Sequence, residues 1–216
     1  AASDVYKRQC GINTLATTPG KDTMHPAIEF IVHCFETKGD GVYGDEQVTQ
    51  RQHALQSAKL AVDHHASDSL IAAALLHDLG HILADDPMPD SRQKNLDDRH
   101  EYRAYDWLVD AFGKAVAEPI GNHVLAKRYL CTMEPGYLEK LSPTSHKSYL
   151  DQGGPLPSAA CRQFESTPFF DDSLQLRRWD DLAKDPNLKT PTLESYIPLL
   201  ERLLATPTES SKSTQR

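Results

Sequence analysis

The sequence lacks long hydrophobic runs and lacks an excess of positive charge. Its longest uninterrupted apolar stretch, Leu70 to Leu76, is far shorter than the roughly 20 residues of a membrane-spanning helix. The 23 basic and 31 acidic side chains among 216 residues give a net charge of −8, whereas nucleic-acid-binding proteins usually carry a basic patch or stripe. We therefore expect neither a membrane protein nor a nucleic-acid-binding protein.

Cysteine is scarce as well. The four cysteines, Cys10, Cys34, Cys131 and Cys161, form no CxxC pair, which excludes the usual spacing of thiolate zinc sites, and a chain of this length does not need disulfides to fold. Residues 1–22 contain no apolar stretch of signal-peptide length. We expect a cytoplasmic protein with a disordered tail over residues 1–22.

The alternation of apolar and polar residues that is typical of strands is also missing, whereas helical spacing recurs. Helices are predicted from about residue 24 to a break at 39–44, and over 45–63, 99–112, 114–131, about 157–166, 169–183 and 192–205. Two more helices are predicted from their N-caps, one from Ser67 or Asp68 and one from Pro143 after Ser142. Pro119 is expected to start or kink the 114–131 helix. Residues 85–98 are predicted to be a loop, and residues 206–216 a disordered tail. The fold class is therefore all-α, with a single helical domain over residues 23–205.

Histidine is abundant, and five of the ten have neighbours that suggest chemistry. His77 and Asp78 lie at the end of the most apolar predicted helix, where a charge and an imidazole are costly to bury without compensation. A buried His–Asp hydrogen bond is one interpretation. A metal site is the stronger one, because further candidate ligands, His53, His100, His123 and Asp180, each lie on a separate predicted helix.

This set contains nitrogen and oxygen ligands and no thiolate, which favours octahedral first-row metals over structural zinc. Six protein ligands are too many for one catalytic ion, so two ions that share Asp78 are expected. Their excess positive charge predicts an anionic, oxygen-rich substrate such as a phosphate or phosphonate. Lys127, four residues after His123 on the same predicted helix, is placed to face that anion.

At these residues the sequence resembles the HD-domain superfamily of metal-dependent enzymes. Within it, the chain looks like the diiron oxygenases of organophosphonate breakdown, the PhnZ type, over roughly residues 43–205. The resemblance rests on the ligand order with the His77-Asp78-Leu79-Gly80-His81 run, on Tyr43-Gly44-Asp45-Glu46, on Lys127-Arg128-Tyr129-Leu130 after His123, on Tyr137-Leu138, on Gln152-Gly153-Gly154-Pro155 and on Arg178-Trp179-Asp180.

The resemblance implies a single HD-domain bundle with a mixed-valent Fe(II)/Fe(III) pair that uses O2 to cleave the carbon–phosphorus bond of a 1-hydroxyalkylphosphonate. It implies iron ligation by His53, His77, Asp78, His100, His123 and Asp180, catalytic roles for Tyr43, Glu46 and His81, and substrate binding by Lys127, Ser145, Ser148, Gln152 and Arg177. Tyr43 would occupy an iron until substrate arrives. Glu46 would accept the ammonium group of 2-amino-1-hydroxyethylphosphonate, although trimethylammonium or hydroxymethyl substrates are equally compatible.

Two other functions compete with this one. An HD-domain phosphohydrolase would use the same ions to activate water against a nucleotide or phosphomonoester, but it has no obvious use for a displaceable tyrosine. A catalytically silent regulatory module would be expected to have lost a ligand, and all six are present. The oligomeric state stays open.

Overall fold

A computed structural model describes residues 24–83 and 100–204, and within these ranges the chain is helical and has no strand. The α-helices are α1 (Pro26–Lys38), α2 (Gln50–Asp63), α3 (Asp68–Leu76), α4 (Leu79–Ile82), α5 (His100–Arg103), α6 (Tyr105–Phe112), α7 (Lys114–Met133), α8 (Pro143–Asp151), α9 (Ser158–Glu165), α10 (Phe170–Leu182) and α11 (Ile197–Leu203), with 3-10 helices at Leu138–Lys140 and Leu193–Tyr196. The all-α expectation is confirmed. The predicted tails and the predicted loop over 85–98 lie outside the described residues.

Helix α3 occupies the centre of the bundle. The Ser67 side chain caps its first turn by accepting a hydrogen bond from the Leu70 backbone, and every residue from Leu70 to Leu76 is buried. Helices α2, α7, α10 and α11 pack against it. Because full burial of each leucine or isoleucine side chain contributes about 1.5–3 kcal/mol, α3 is fixed firmly, and its C-terminal end delivers His77 and Asp78 into the interior.

Three predicted helix boundaries were wrong. Helix α2 begins at Gln50 and not at residue 45, because Thr49 and Gln52 form a reciprocal capping box. The residues before it form a loop that is closed by an isolated β-bridge between Val42 and Thr49. The predicted 99–112 helix is broken at Ala104 into α5 and α6, and the predicted 192–205 helix is a 3-10 turn followed by α11.

Two prolines show how local sequence controls these helices. Ser142 caps α8 and Pro143 follows at its first turn, as predicted. Pro119 does not start a helix, since α7 already begins at Lys114 and continues past it to Met133. Among the described helices, none combines the length and the apolar character that a membrane span needs.

Candidate active site

The six predicted metal ligands converge in the interior. They come from α2 (His53), the C-cap of α3 (His77) and the next residue (Asp78), the start of α5 (His100), the middle of α7 (His123) and α10 (Asp180), and all six are buried. We call this group of six side chains the donor pole. Apart from the adjacent His77 and Asp78, its members are far apart in sequence, so only the packing of α2, α5, α7 and α10 with the end of α3 brings them together.

Backbone carbonyls set the orientation of three of the imidazoles. Nδ1 of His53, His77 and His123 lies 2.9, 2.9 and 2.7 Å from the carbonyl oxygen of Ala183, Ala74 and Ile120, respectively. A carbonyl can only accept, so each Nδ1 carries the hydrogen and, in the neutral ring, each Nε2 presents a lone pair to the interior. The Nε2 atoms face one another in pairs, at 3.1 Å for His53 and His77 and at 3.0 Å for His100 and His123. Lone pairs this close are stabilised by a cation between them.

Asp78 divides the donor pole into two groups. Its Oδ2 lies 3.6 Å from Nε2 of His53 and 3.4 Å from that of His77, whereas its Oδ1 lies 3.3 Å from Nε2 of His100 and 3.7 Å from that of His123. Both Asp78 oxygens are buried and receive no hydrogen bond of good geometry from the described residues. Two ligand atoms about 2.1 Å from one ion and at right angles lie roughly 3 Å apart. The spacing therefore fits metal ions on either side of a shared carboxylate.

The charges of the donor pole also suit a cation. Burial raises the pKa of Asp78 and Asp180, but His77 beside Asp78 and Arg177 beside Asp180 hold both pKa values well below the usual range. Burial lowers the pKa of His77, yet the two carboxylates outweigh this and raise it to about 9. Burial and the neighbouring His100 keep the pKa of His123 well below its usual value. The site thus combines ionised carboxylates with a strong demand for positive charge.

Gly80 explains how His100 reaches this group. A Cβ atom at Gly80 would lie 2.0 Å from the carbonyl oxygen of His100, so only glycine lets α4 touch the first residue of α5. His81 then stacks on the His100 ring, with centroids 3.8 Å apart, and its Nε2 lies 4.0 Å from Oδ1 of Asp78. His81 therefore lies at the edge of the donor pole and lines the adjoining cavity.

Of the predicted pair Tyr43 and Glu46, the tyrosine alone reaches the donor pole. The Tyr43 ring stacks on His53 at 3.8 Å, and its hydroxyl lies 3.3 Å from Oδ1 of Asp180. Burial, followed by the Asp180 charge, raises the pKa of Tyr43 well above its usual value, so the phenol keeps its proton there. Glu46 instead accepts a hydrogen bond of 2.6 Å from the Ser142 hydroxyl and lies 3.3 Å from the Lys184 ammonium.

A cavity of about 260 Å³ extends from the donor pole to a second polar group. Lys127, only 2% exposed, donates to the Ser148 hydroxyl at 2.8 Å, and Lys184 donates to the Ser145 hydroxyl at 2.7 Å. We call these four residues the lysine pole. Among the described residues, no carboxylate oxygen forms an ion pair with Lys127, and burial, with a smaller effect of Arg177, lowers its pKa to about 7. An anion from outside the protein would compensate this buried amine.

Two other predicted substrate-binding residues border the cavity in different ways. Gln152 lies at the C-cap of α8, and its Oε1 is buried without a hydrogen bond from the described part of the chain. The charge of Arg177 is already engaged, because it donates to Asp180 at 2.6 Å and also to Asp181. Arg177 therefore holds a carboxylate of the donor pole in place, and its contact with substrate stays a prediction.

Lys184 and Gln50 are among the residues that line the cavity and that sequence reasoning did not single out. Lys184 follows Asp180 by four residues, the same spacing that singled out Lys127 after His123, but α10 ends at Leu182 and places it beyond the helix. Gln50 is the first residue of α2, and its Oε1 is buried without a hydrogen bond within the described ranges. The i, i+4 spacing could have found the lysine; no sequence signal marks the glutamine.

Comparison with known proteins identifies the family. The chain is 42% identical to the hydroxymethylphosphonate dioxygenase of Gimesia maris over 195 residues, which is 90% of this chain and 94% of the relative. The chain belongs to the phosphonate dioxygenase family. A second phosphonate dioxygenase, the glycine-betaine-forming enzyme of Leisingera caerulea that acts on 1-hydroxy-2-(trimethylamino)ethylphosphonate, is 33% identical over 177 residues, 82% of this chain and 90% of the relative.

No family model matches the chain. Membership of the phosphonate dioxygenase family confirms the sequence prediction of an enzyme with dioxygenase activity, and the two ligand-rich groups His53–His77–Asp180 and Asp78–His81–His100 agree with a metal-binding enzyme. The two phosphonate dioxygenases differ in their named substrates, since one carries a trimethylammonium group and the other carries none.

Proposed function

We propose that the protein is a mixed-valent diiron oxygenase that uses O2 to cleave the carbon–phosphorus bond of a 1-hydroxyalkylphosphonate, with phosphate and a carboxylic acid as products. The observation that carries this proposal is the position of Asp78, whose two oxygens face separate histidine groups at one end of a cavity that has a buried lysine at the other. Imidazole and carboxylate ligands suit iron. The cytoplasm is the proposed location, because the four cysteines are widely scattered in the sequence and form no CxxC pair.

In this proposal each half of the donor pole holds one iron. His53, His77, Asp180 and Oδ2 of Asp78 would hold the first, and His100, His123 and Oδ1 of Asp78 would hold the second. The iron pair, when bound, supplies the redox chemistry with O2, while the protein supplies binding, orientation and electrostatics. The carbonyl bonds to Nδ1 of three histidines keep the Nε2 lone pairs aimed inward before any ion arrives.

The substrate would lie along the cavity with its phosphonate group at the lysine pole. Lys127 would donate to a phosphonate oxygen, and the Ser145 and Ser148 hydroxyls would turn from their present partners to do the same. The Oε1 atom of Gln152, which has no hydrogen-bond partner among the described residues, would accept a hydrogen bond from a protonated oxygen of the phosphonate group. This places the hydroxyl carbon near the donor pole, where the Tyr43 hydroxyl now lies beside Asp180, so Tyr43 would move aside on binding.

Oxygen uptake tests the proposal directly. Protein purified without air and loaded with Fe(II) should consume O2 and release phosphate from at least one member of a panel of 1-hydroxyphosphonates. The same protein kept anaerobic should release no phosphate in multiple turnovers. Because a matched phosphomonoester offers the same phosphoryl oxygens without a carbon–phosphorus bond, it should yield no phosphate.

The competing phosphohydrolase gives the opposite pattern. It would release phosphate from nucleotides or phosphomonoesters with Mn(II) in place of iron and without oxygen. Phosphate release that is indifferent to air, or absence of oxygen uptake across the whole panel, would reject the oxygenase.

A further inference from the structure

Glu46 and Lys184 form a nearly buried ion pair beside the cavity. The Lys184 ammonium lies 3.3 Å from the Glu46 carboxylate, and the side chains are only 11% and 15% exposed. The Ser142 hydroxyl donates to Glu46 at 2.6 Å and accepts from Lys184 at 3.1 Å. Lys184 also donates to Ser145 at 2.7 Å, so the pair is part of a closed network.

The two members of the pair, Lys184 and Glu46, differ in their access to the cavity. Lys184 lines the cavity wall together with Ser145, whereas Glu46 is not among the described residues that line it. A ligand in the cavity thus meets the positive member of the pair. The negative member lies behind it, bonded to Ser142 and Lys184.

A cationic group on a substrate would have to separate this pair. If Glu46 turned to receive an ammonium group, it would give up both its contact with the Lys184 ammonium and the hydrogen bond from Ser142, and separating a largely buried ion pair is costly. It would also add a second cation next to Lys184. A neutral substituent requires neither change.

We propose that Lys184 is a specificity-determining residue that commits the site to 1-hydroxyphosphonates with a small uncharged substituent, hydroxymethylphosphonate being the smallest, by neutralising Glu46 and presenting its own charge to the cavity. This inference rests on the proposed function, and it names the substrate class of the same site.

Three ligands separate the effect of the substituent's charge on affinity from the effect of its size. Hydroxymethylphosphonate carries no substituent, 2-amino-1-hydroxyethylphosphonate carries an ammonium group, and 1-hydroxypropylphosphonate carries a methyl group in the place of that ammonium. Affinities are measured by anaerobic titration calorimetry on the iron-loaded protein, where no turnover occurs, and kcat/KM is measured in air. The wild-type protein should bind the propyl compound at least about tenfold more tightly than the amino compound, which corresponds to about 1.4 kcal/mol. Equal or tighter binding of the amino compound would overturn the proposal.

Variants at Lys184 test whether this residue causes the expected preference for the propyl over the amino compound. Lys184→Met frees Glu46 and should shift the ratio of amino to propyl affinity by about tenfold or more in favour of the amino compound, whereas Lys184→Arg keeps the pair and should keep the wild-type ratio. Lys59, which donates to Asp63 at 2.6 Å, supplies the charge-matched control, since neither member of that pair is among the described residues that line the cavity. Lys59→Met removes the same charge without freeing a carboxylate at the cavity, so the ratio should not move.

The double variant Lys184→Met/Glu46→Gln tests whether the Glu46 carboxylate is the cause of the expected gain in affinity for the amino compound. Because the gain for the amino compound comes from the released carboxylate, it should disappear when Glu46 is removed as well. A gain that persists in the double variant, or a ratio that stays at the wild-type value in Lys184→Met, would refute the inference. Failure of the underlying function is distinguishable, since it would abolish oxygen uptake with all three compounds in every protein.

Discussion

The donor pole and the lysine pole of the cavity are built in different ways. Three imidazoles of the donor pole are anchored to backbone carbonyls at 2.7–2.9 Å, and the Asp78 oxygens between the histidines receive no hydrogen bond of good geometry from the described residues. At the lysine pole the amines and hydroxyls bond one another. The donor pole is therefore oriented by the backbone and short of positive charge, whereas the lysine pole holds the uncompensated Lys127 amine and can exchange its internal bonds for those of an anion.

Replacement of Asp78 by asparagine should have the largest effect, because both halves of the donor pole depend on this one side chain. Since even the partners that orient metal ligands are worth about 10- to 100-fold in affinity or activity, Asp78→Asn should lower bound iron to below one ion per chain and reduce turnover by more than about 100-fold. Metal analysis and oxygen uptake measure this. Asp63→Asn, which changes an exposed carboxylate bonded to Lys59, is the control and should keep full metal content.

Replacement of Arg177 tests whether the donor pole depends on its supports. Arg177→Gln removes the 2.6 Å hydrogen bond that orients the Asp180 carboxylate, so metal affinity should fall by about 10- to 100-fold. The next residue, Arg178, pairs with Glu134 away from the donor pole, and Arg178→Gln should leave metal affinity unchanged. Competition with a chelator provides the measurement. Unchanged affinity in Arg177→Gln would mean that Asp180 needs no such support.

Replacement of Lys127 should have a smaller effect that is confined to the lysine pole. Lys127→Ala should keep its metal content but bind a phosphonate about tenfold more weakly at pH 6, since hydrogen bonds to charged groups contribute about 1.5–3 kcal/mol. The pKa of Lys127 is lowered to about 7, so its ammonium form is present below that pH and is lost as the pH rises through it.

The ratio of variant to wild-type dissociation constants should therefore be largest below pH 7 and decline above it. Ionisation of the phosphonate itself affects both proteins alike and cancels in this ratio. A ratio that does not change with pH, or iron loss equal to that of Asp78→Asn, would contradict the assignment of Lys127 to the anion end of the cavity.

Much of the fold and of the candidate site could be predicted from local pattern. The apolar run in α3, the Ser67 and Ser142 caps and the helical spacing all act within a few residues, and they gave the all-α class and most helix positions. The start of α2 was predicted too early, because the capping box at Thr49 outweighs the polar residues before it. The six donor residues were found because their types are unusual beside apolar helices.

The role of Glu46 illustrates what local pattern leaves open. The family resemblance implied that its carboxylate receives a substrate ammonium group, but the structure pairs it with Lys184 and Ser142. Lys184 lies beyond the end of α10, where helical spacing no longer determines direction. Nothing near Glu46 in sequence specifies that partner.

The sequence by itself determined which chemical groups this protein has and in what order along its helices, because residue type and helical periodicity are local properties. Only the tertiary structure decided that the two oxygens of Asp78 face different histidine pairs, and that Lys184 and not Glu46 faces the cavity. Those outcomes depend on how distant segments pack around α3, and burial makes the pairing of their charges as important as their presence.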